Sequence, residues 1–120
     1  MKHCLVVGDS RVIRKVACQI LGEMKIFAEE AEESAAALQA CRTQMPDAVL
    51  IDMANAGSIE LMRALRRVKN GKQPRIVFTT TENDVIQITE ALNAGADEYF
   101  FKPFDREAVQ SKFAPLSLAA

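Results

Sequence analysis

With 120 residues, 49% of them hydrophobic and 26% charged, the chain makes one domain over residues 1–120 with a real core and has no room for a second. A formal net charge of -1 gives no general attraction to a nucleic-acid backbone. No apolar run approaches the roughly 18 to 20 residues of a membrane span, and the amino terminus reads as a strand, so a cytoplasmic protein without nucleic-acid or membrane-inserted partners is expected.

His3 to Val7 is an apolar run ending in Gly8-Asp9-Ser10, the pattern of a strand, a tight turn and a helix capped by Ser10. Val12, Ile13, Val16, Ala17, Ile20, Leu21 and Met24 then recur at helical spacing, with Arg11, Arg14 and Lys15 assigned mostly to the other side. Lys25 to Glu30 gives a short second strand around Ile26 and Phe27. Ala35, Leu38 and Cys41 mark a small, Ala-rich second helix, which Pro46 follows. Ala48-Val49-Leu50-Ile51-Asp52 is next: four apolar residues of strand character that end in an acid. Such a run without alternation suits a central parallel strand, because helices cover both of its faces.

Beyond Asp52, Met53 to Gly57 is a loop, and Ser58 is placed to cap a third helix with Leu61, Met62, Leu65 and Val68 on one face. Lys69 to Pro74 breaks the pattern. Arg75 to Thr79 is a fourth strand, ending in Thr79-Thr80-Thr81 before a helix that contains Val85, Ile88, Ala91 and Leu92 and stops at Gly95. Glu98 to Phe101 is a fifth strand. Lys102-Pro103-Phe104 leads into a last helix from Asp105, with Val109 and Phe113 inward and Pro115 as its end.

Strand and helix thus alternate five times. The connection rules then give an α/β fold, a doubly wound, flavodoxin-like five-stranded parallel sheet in the order 2-1-3-4-5 with helices on both faces. In that order the first and third strands are neighbours, so Asp9 and Asp52 come side by side at the carboxyl rim. Thr80 and Lys102 arrive there from the fourth and fifth strands. Taken singly, Asp52 could be a turn or cap residue, Thr80 a strand-end hydroxyl and Lys102 a solvated lysine. Gathered on one rim, they suit phosphoryl transfer: paired carboxylates for Mg2+, Asp52 as nucleophile, and Lys102 and Thr80 as donors to phosphoryl oxygens. The three cysteines, Cys4, Cys18 and Cys41, lack metal-type spacing and read as reduced core thiols, and the lone His3 as structural or surface.

Val6-Val7-Gly8-Asp9-Ser10, Val49-Leu50-Ile51-Asp52, Thr79-Thr80-Thr81-Glu82, Ala94-Gly95-Ala96-Asp97-Glu98-Tyr99 and Phe101-Lys102-Pro103-Phe104 together resemble the receiver domains of two-component response regulators, in particular the single-domain, CheY-like ones. The resemblance spans the chain. It implies that Asp52 accepts phosphate from a sensor histidine kinase, a phosphotransfer protein or a small phosphodonor. It implies too that Asp9, Asp52 and the backbone carbonyl of Ala54 hold Mg2+, and that Thr80 and Lys102 bind the phosphoryl oxygens. Tyr99 matches the family's switch aromatic, although a plain rim tyrosine is the simpler reading, and the Lys102–Pro103 peptide is implied to be cis. Two departures touch the metal site. Gly8 stands where the family usually has a second acid, and the loop from Met53 to Gly57 reaches its helix about two residues early, so weaker Mg2+ binding is expected.

Arg63, Arg66, Arg67, Lys69, Lys72 and Arg75 lie within one helix end and the loop after it. Usually such a run is a solvated face near a helix carboxyl end. The sharper reading is an anion or partner patch, since arginine forks suit phosphates. The leading expectation is a stand-alone receiver without an output domain, a phosphoacceptor switch in a two-component, phosphorelay or chemotaxis pathway that acts on a downstream protein target, through the face around Val85 to Lys112, including Tyr99, that the resemblance implies, and is no enzyme beyond its own phosphorylation and dephosphorylation. The competing one is a binding module independent of phosphorylation, for an anionic second messenger, a flagellar-motor component or a kinase. A phosphohydrolase with Asp52 as nucleophile is disfavoured by Ala54, where a second acid is needed.

Overall fold

The computed structural model describes residues 1–52, 57–81 and 84–118. Strands β1 (Lys2–Val7), β2 (Ile26–Ala31), β3 (Ala48–Asp52), β4 (Arg75–Thr80) and β5 (Glu98–Phe101) alternate with helices α1 (Arg11–Glu23), α2 (Ser34–Thr43), α3 (Ser58–Arg67), α4 (Val85–Ala94) and α5 (Arg106–Leu118). The strands form one parallel sheet in the order β2-β1-β3-β4-β5, the doubly wound order expected from the alternation.

Strand periodicity divides the core in two. Leu5, Val7, Val49, Ile51, Ile76 and Phe78 face the layer of α2, α3 and α4, where Ala37, Cys41, Leu61, Met62, Leu65 and Ala91 meet them. Cys4, Val6, Ala48, Leu50, Val77 and Phe100 face the layer of α1 and α5, against Ala17, Ile20, Leu21, Val109 and Phe113. This is why β3 is apolar at every position before its acid: successive side chains enter opposite cores. Each fully buried aliphatic or Phe side chain contributes about 1.5–3 kcal/mol.

The same alternation carries past the apolar residues to the carboxyl rim. Asp52 is two residues beyond Leu50 and Thr79 two beyond Val77, so both belong to the α1/α5 side, and Gly8 and Lys102, just past β1 and β5, meet Asp52 there. Thr80, two beyond Phe78, belongs to the α3/α4 side.

Four local features go beyond or against the sequence reading. Arg14 is buried and Val12 is 73% exposed, because the inward stripe of α1 runs through Arg14, Ala17 and Leu21. The spacing of 14, 17 and 21 is as helical as that of the valines, and Arg14 is drawn in by polar partners there. Gly57, not Ser58, is the N-cap of α3; Ser58 is buried and its hydroxyl donates to the Asp52 carbonyl at 3.2 Å, tying the helix to the end of β3. On α4, Val85, Ile86 and Leu92 are exposed, and burial is confined to Ala91 and Ala94. Finally, α5 continues through Pro115, with Leu116 buried in the α1/α5 core. Proline there forfeits one N–H bond near the helix end, which the anchorage of Leu116 offsets.

Candidate functional site

β3 delivers Asp52 to the carboxyl end of the sheet with only 4% of its surface exposed. A buried carboxylate needs a partner. Lys102 supplies it, Nζ to Oδ1 at 2.6 Å, from the segment after β5, and the Thr79 hydroxyl donates to the same oxygen at 3.3 Å. β4 aligns Thr79 directly beside Asp52 in register, and the shared side of the sheet does the rest. The Lys102–Pro103 peptide is cis, and the Lys102 N–H donates to the Thr80 carbonyl at 2.7 Å.

Across the neighbouring strand, Gly8 borders the acid. A Cβ at Gly8 would lie 3.1 Å from the Asp52 Cβ and 3.6 Å from its Oδ2, so position 8 itself places no side chain against the carboxylate. The Gly8 carbonyl accepts a 2.6 Å hydrogen bond from Arg14 Nη1, and its N–H donates to Ala31. Arg14 Nε also meets Glu30 Oε1 at 3.0 Å, and Lys15 Nζ meets Glu30 Oε2 at 2.6 Å. Hydrogen bonding from Lys15, reinforced by the Arg14 guanidinium against the opposing effect of partial burial, holds the Glu30 carboxyl below the usual carboxylate range. This cluster fixes the turn that follows β1.

Asp9 is exposed at the end of β1, one residue beyond Gly8. Magnesium takes hard oxygen donors and commonly keeps waters beside one or two carboxylates. Asp9 and Asp52 are donors of that kind at one rim, so the residues present fit Mg2+, with Gly8 contributing no charge. Among the described residues no group of three His, Cys, Asp or Glu side chains is gathered for a metal. Ala54, implied as a carbonyl donor, lies outside the described residues.

Thr80 is also buried, but its hydroxyl is not on Asp52; it donates to Gln87 Oε1 at 3.2 Å, on the first turn of α4. Tyr99 is half-buried, its ring centroid 5.6 Å from those of Phe78 and Phe101. A groove of about 510 Å³ runs beside it between β5 and α5, lined by Phe101, Pro103, Ala108 and Lys112 among others.

The basic run splits. Arg63, Arg67, Lys69 and Lys72 are exposed, but Arg66 is consumed internally. Its guanidinium donates to the carbonyls of Gly95 (2.7 and 3.0 Å), Gly71 (3.0 Å) and Pro74 (2.8 Å) and to Asp97 Oδ2 (2.9 Å). Gly95, at φ 121, is needed beneath it, because a Cβ there would meet Arg66 Cγ at 2.7 Å. Arg75 Nε is likewise turned to the Lys112 carbonyl at 2.9 Å. The anion-patch reading is corrected at Arg66, whose fork binds backbone oxygens of this chain.

Sequence reasoning missed Thr79, Gln87 and Arg14. The first was findable: in a parallel register the residue beside the strand-end acid is Thr79, not its neighbour. The other two depend on how α4 and α1 are rotated, which periodicity alone does not fix.

Residues 4–114 match the response regulator receiver domain. The chain belongs to that family. Among curated relatives, the transcriptional regulatory protein CseB of Streptomyces avermitilis is 34% identical over 104 residues, covering 86% of this chain and 43% of its own length. A protein-glutamate methylesterase/protein-glutamine glutaminase of a Nocardioides species is 39% identical over 105 residues, covering 82% of this chain and 28% of its own. The chain therefore spans less than half the length of either. Among solved structures, the chemotaxis response regulator CheY4 of Vibrio cholerae superposes with a TM-score of 0.89 at 24% identity, covering 97% of this chain and 98% of that one. A CheY-like receiver domain protein of Methanospirillum hungatei gives 0.87 at 22%, covering 99% and 95%. Receiver domains are regulatory modules of two-component signalling. No helix among the described residues is long and apolar enough to cross a membrane.

Proposed function

We propose that this receiver is a phosphoacceptor switch with Asp52 as the acceptor. The observation that carries the reading is the buried Asp52 carboxylate with Lys102 Nζ at 2.6 Å, at the carboxyl end of a doubly wound sheet. A carboxylate oxygen attacks the phosphorus of a phosphohistidine on a sensor kinase or phosphotransfer protein; the new O–P bond forms as the P–N bond breaks, and the imidazole keeps the electron pair. Lys102 neutralises charge on the transferred group. Asp9 and Asp52 would hold Mg2+, which would supply further neutralisation of the transferred group. Thr80 and Tyr99 carry the change of state toward α4, β5 and α5. There the exposed Val85, Ile86 and Leu92 and the groove beside Tyr99 form a face suited to a downstream protein of a two-component, phosphorelay or chemotaxis pathway.

Incubation with acetyl phosphate and Mg2+, followed by intact-mass measurement, tests this. The expected product carries one phosphoryl group and is lost in Asp52→Asn. Equal labelling of that variant refutes the assignment.

Gly8 favours a second reading, a binding module that works without phosphorylation, because the flank of Asp52 where a second carboxylate would stand is occupied by glycine. In that case target binding is the same for wild type and Asp52→Asn, with or without phosphodonor.

A further inference from the structure

β4 ends in two buried threonines whose hydroxyls have different partners. Thr79 is bound to Asp52, and Thr80, facing the opposite layer, is bound to the side-chain carbonyl of Gln87 at 3.2 Å. Gln87 is itself held from behind. Its backbone N–H donates to Oδ1 of the N-cap residue Asp84 at 3.1 Å, which fixes the first turn of α4 and therefore where the Gln87 side chain begins. The Thr80 carbonyl, meanwhile, accepts from the Lys102 N–H, so the backbone beneath the hydroxyl is pinned. With the backbone fixed and the β-branched side chain limited to staggered wells, the freedom left to Thr80 is its χ1 rotamer. Gln87 is the side chain that its hydroxyl meets.

We propose that Gln87 is a latch on Thr80: it holds the hydroxyl toward α4 in the resting state, and releasing that bond is the toll on any turn of Thr80 toward a group loaded on Asp52. The proposal rests on the phosphoacceptor reading for its consequence, but the latch exists in the unloaded protein. Gln87 acts as a positioning residue. It sets how readily the site fills, and it makes α4 register whether Thr80 has left, because its carbonyl then loses its donor.

Gln87→Leu removes the acceptor at similar size; Gln87→Glu keeps an acceptor oxygen. Three-bond couplings to the Thr80 Cγ2, measured without any phosphoryl mimic, report the χ1 population. One rotamer is expected in wild type and Gln87→Glu and averaging in Gln87→Leu, with thermal denaturation confirming that all three are folded. Averaged couplings in wild type, or unchanged couplings in Gln87→Leu, overturn the latch. Beryllofluoride titration with Mg2+ is the second arm. Loss of one ordinary hydrogen bond from the resting state is expected to tighten binding to Gln87→Leu by about fivefold, and equal affinities overturn the claim that the latch governs loading. If wild type does not bind beryllofluoride at all, the phosphoacceptor reading fails, while the couplings still decide whether Gln87 holds Thr80.

Discussion

Gly8 and Asp52 face each other across β1 and β3 so closely that a Cβ on the glycine would stand 3.1 Å from that of the acid. An acidic side chain at position 8 therefore starts against a carboxylate of the proposed Mg2+ site. One added charge about 5 Å from a divalent ion is worth several kcal/mol at an effective dielectric of about 20, and water at the rim reduces this to roughly a tenfold effect. Gly8→Asp is predicted to bind Mg2+ about tenfold more tightly by calorimetry. In EDTA, like-charge repulsion and the close Cβ lower its stability by about 1 kcal/mol. Unchanged Mg2+ affinity contradicts the assignment of this flank to the metal.

Removing Lys102 takes the ammonium away from a buried carboxylate. Lys102→Met is predicted to lose about 2 kcal/mol in urea denaturation, since a buried carboxylate that loses its counter-charge costs more than the pair contributes. Adding Asp52→Asn takes away the uncompensated charge and recovers much of the loss. Strictly additive effects of the two substitutions would show that the 2.6 Å contact is energetically idle.

Arg66 and Arg67 are neighbours in sequence with opposite fates. Arg66→Met leaves the carbonyls of Gly71, Pro74 and Gly95 without their donor and is predicted to cost about 3 kcal/mol, a melting temperature lower by roughly 10 °C. Arg67→Met, on the exposed side, changes stability by no more than about 0.5 kcal/mol. Equal effects contradict the structure.

The acid limb of stability has an identifiable contributor. Glu30 is depressed by Lys15 and Arg14, so its pairing stabilises the fold at and above the unfolded carboxylate range near pH 4.3 and is lost as pH falls through the lower folded value. Glu30→Gln is predicted to be less stable than wild type at pH 7, with the gap closing below pH 4. A gap that widens on acidification has the wrong sign.

The sheet order and the rim were legible because each strand is a block of apolar residues bounded by turn residues, and connection handedness leaves few ways to stack five such blocks. Val49-Leu50-Ile51 needed no tertiary information to be read as doubly covered. Arg14 was misread for a physical reason: hydropathy assigns a guanidinium to water, yet the carbonyl of Gly8 and the carboxylate of Glu30 offer it charged and polar partners beneath α1. Arg66 shows the same limit. A count of basic residues treats it as surface charge, whereas the turns around Gly71, Pro74 and Gly95 expose oxygens that only a five-donor fork can gather. Thr79 was hidden by a resemblance that directs attention to its neighbour.

The alternation of side chains along β4 has one more consequence. Because odd and even positions of that strand enter different layers, the hydroxyl that touches the acid and the hydroxyl that touches α4 are one peptide apart yet on opposite sides of a wall. Adjacent residues of one strand thus reach Asp52 on one side and the first turn of α4 on the other, so any shift in the end of β4 is felt in both places at once.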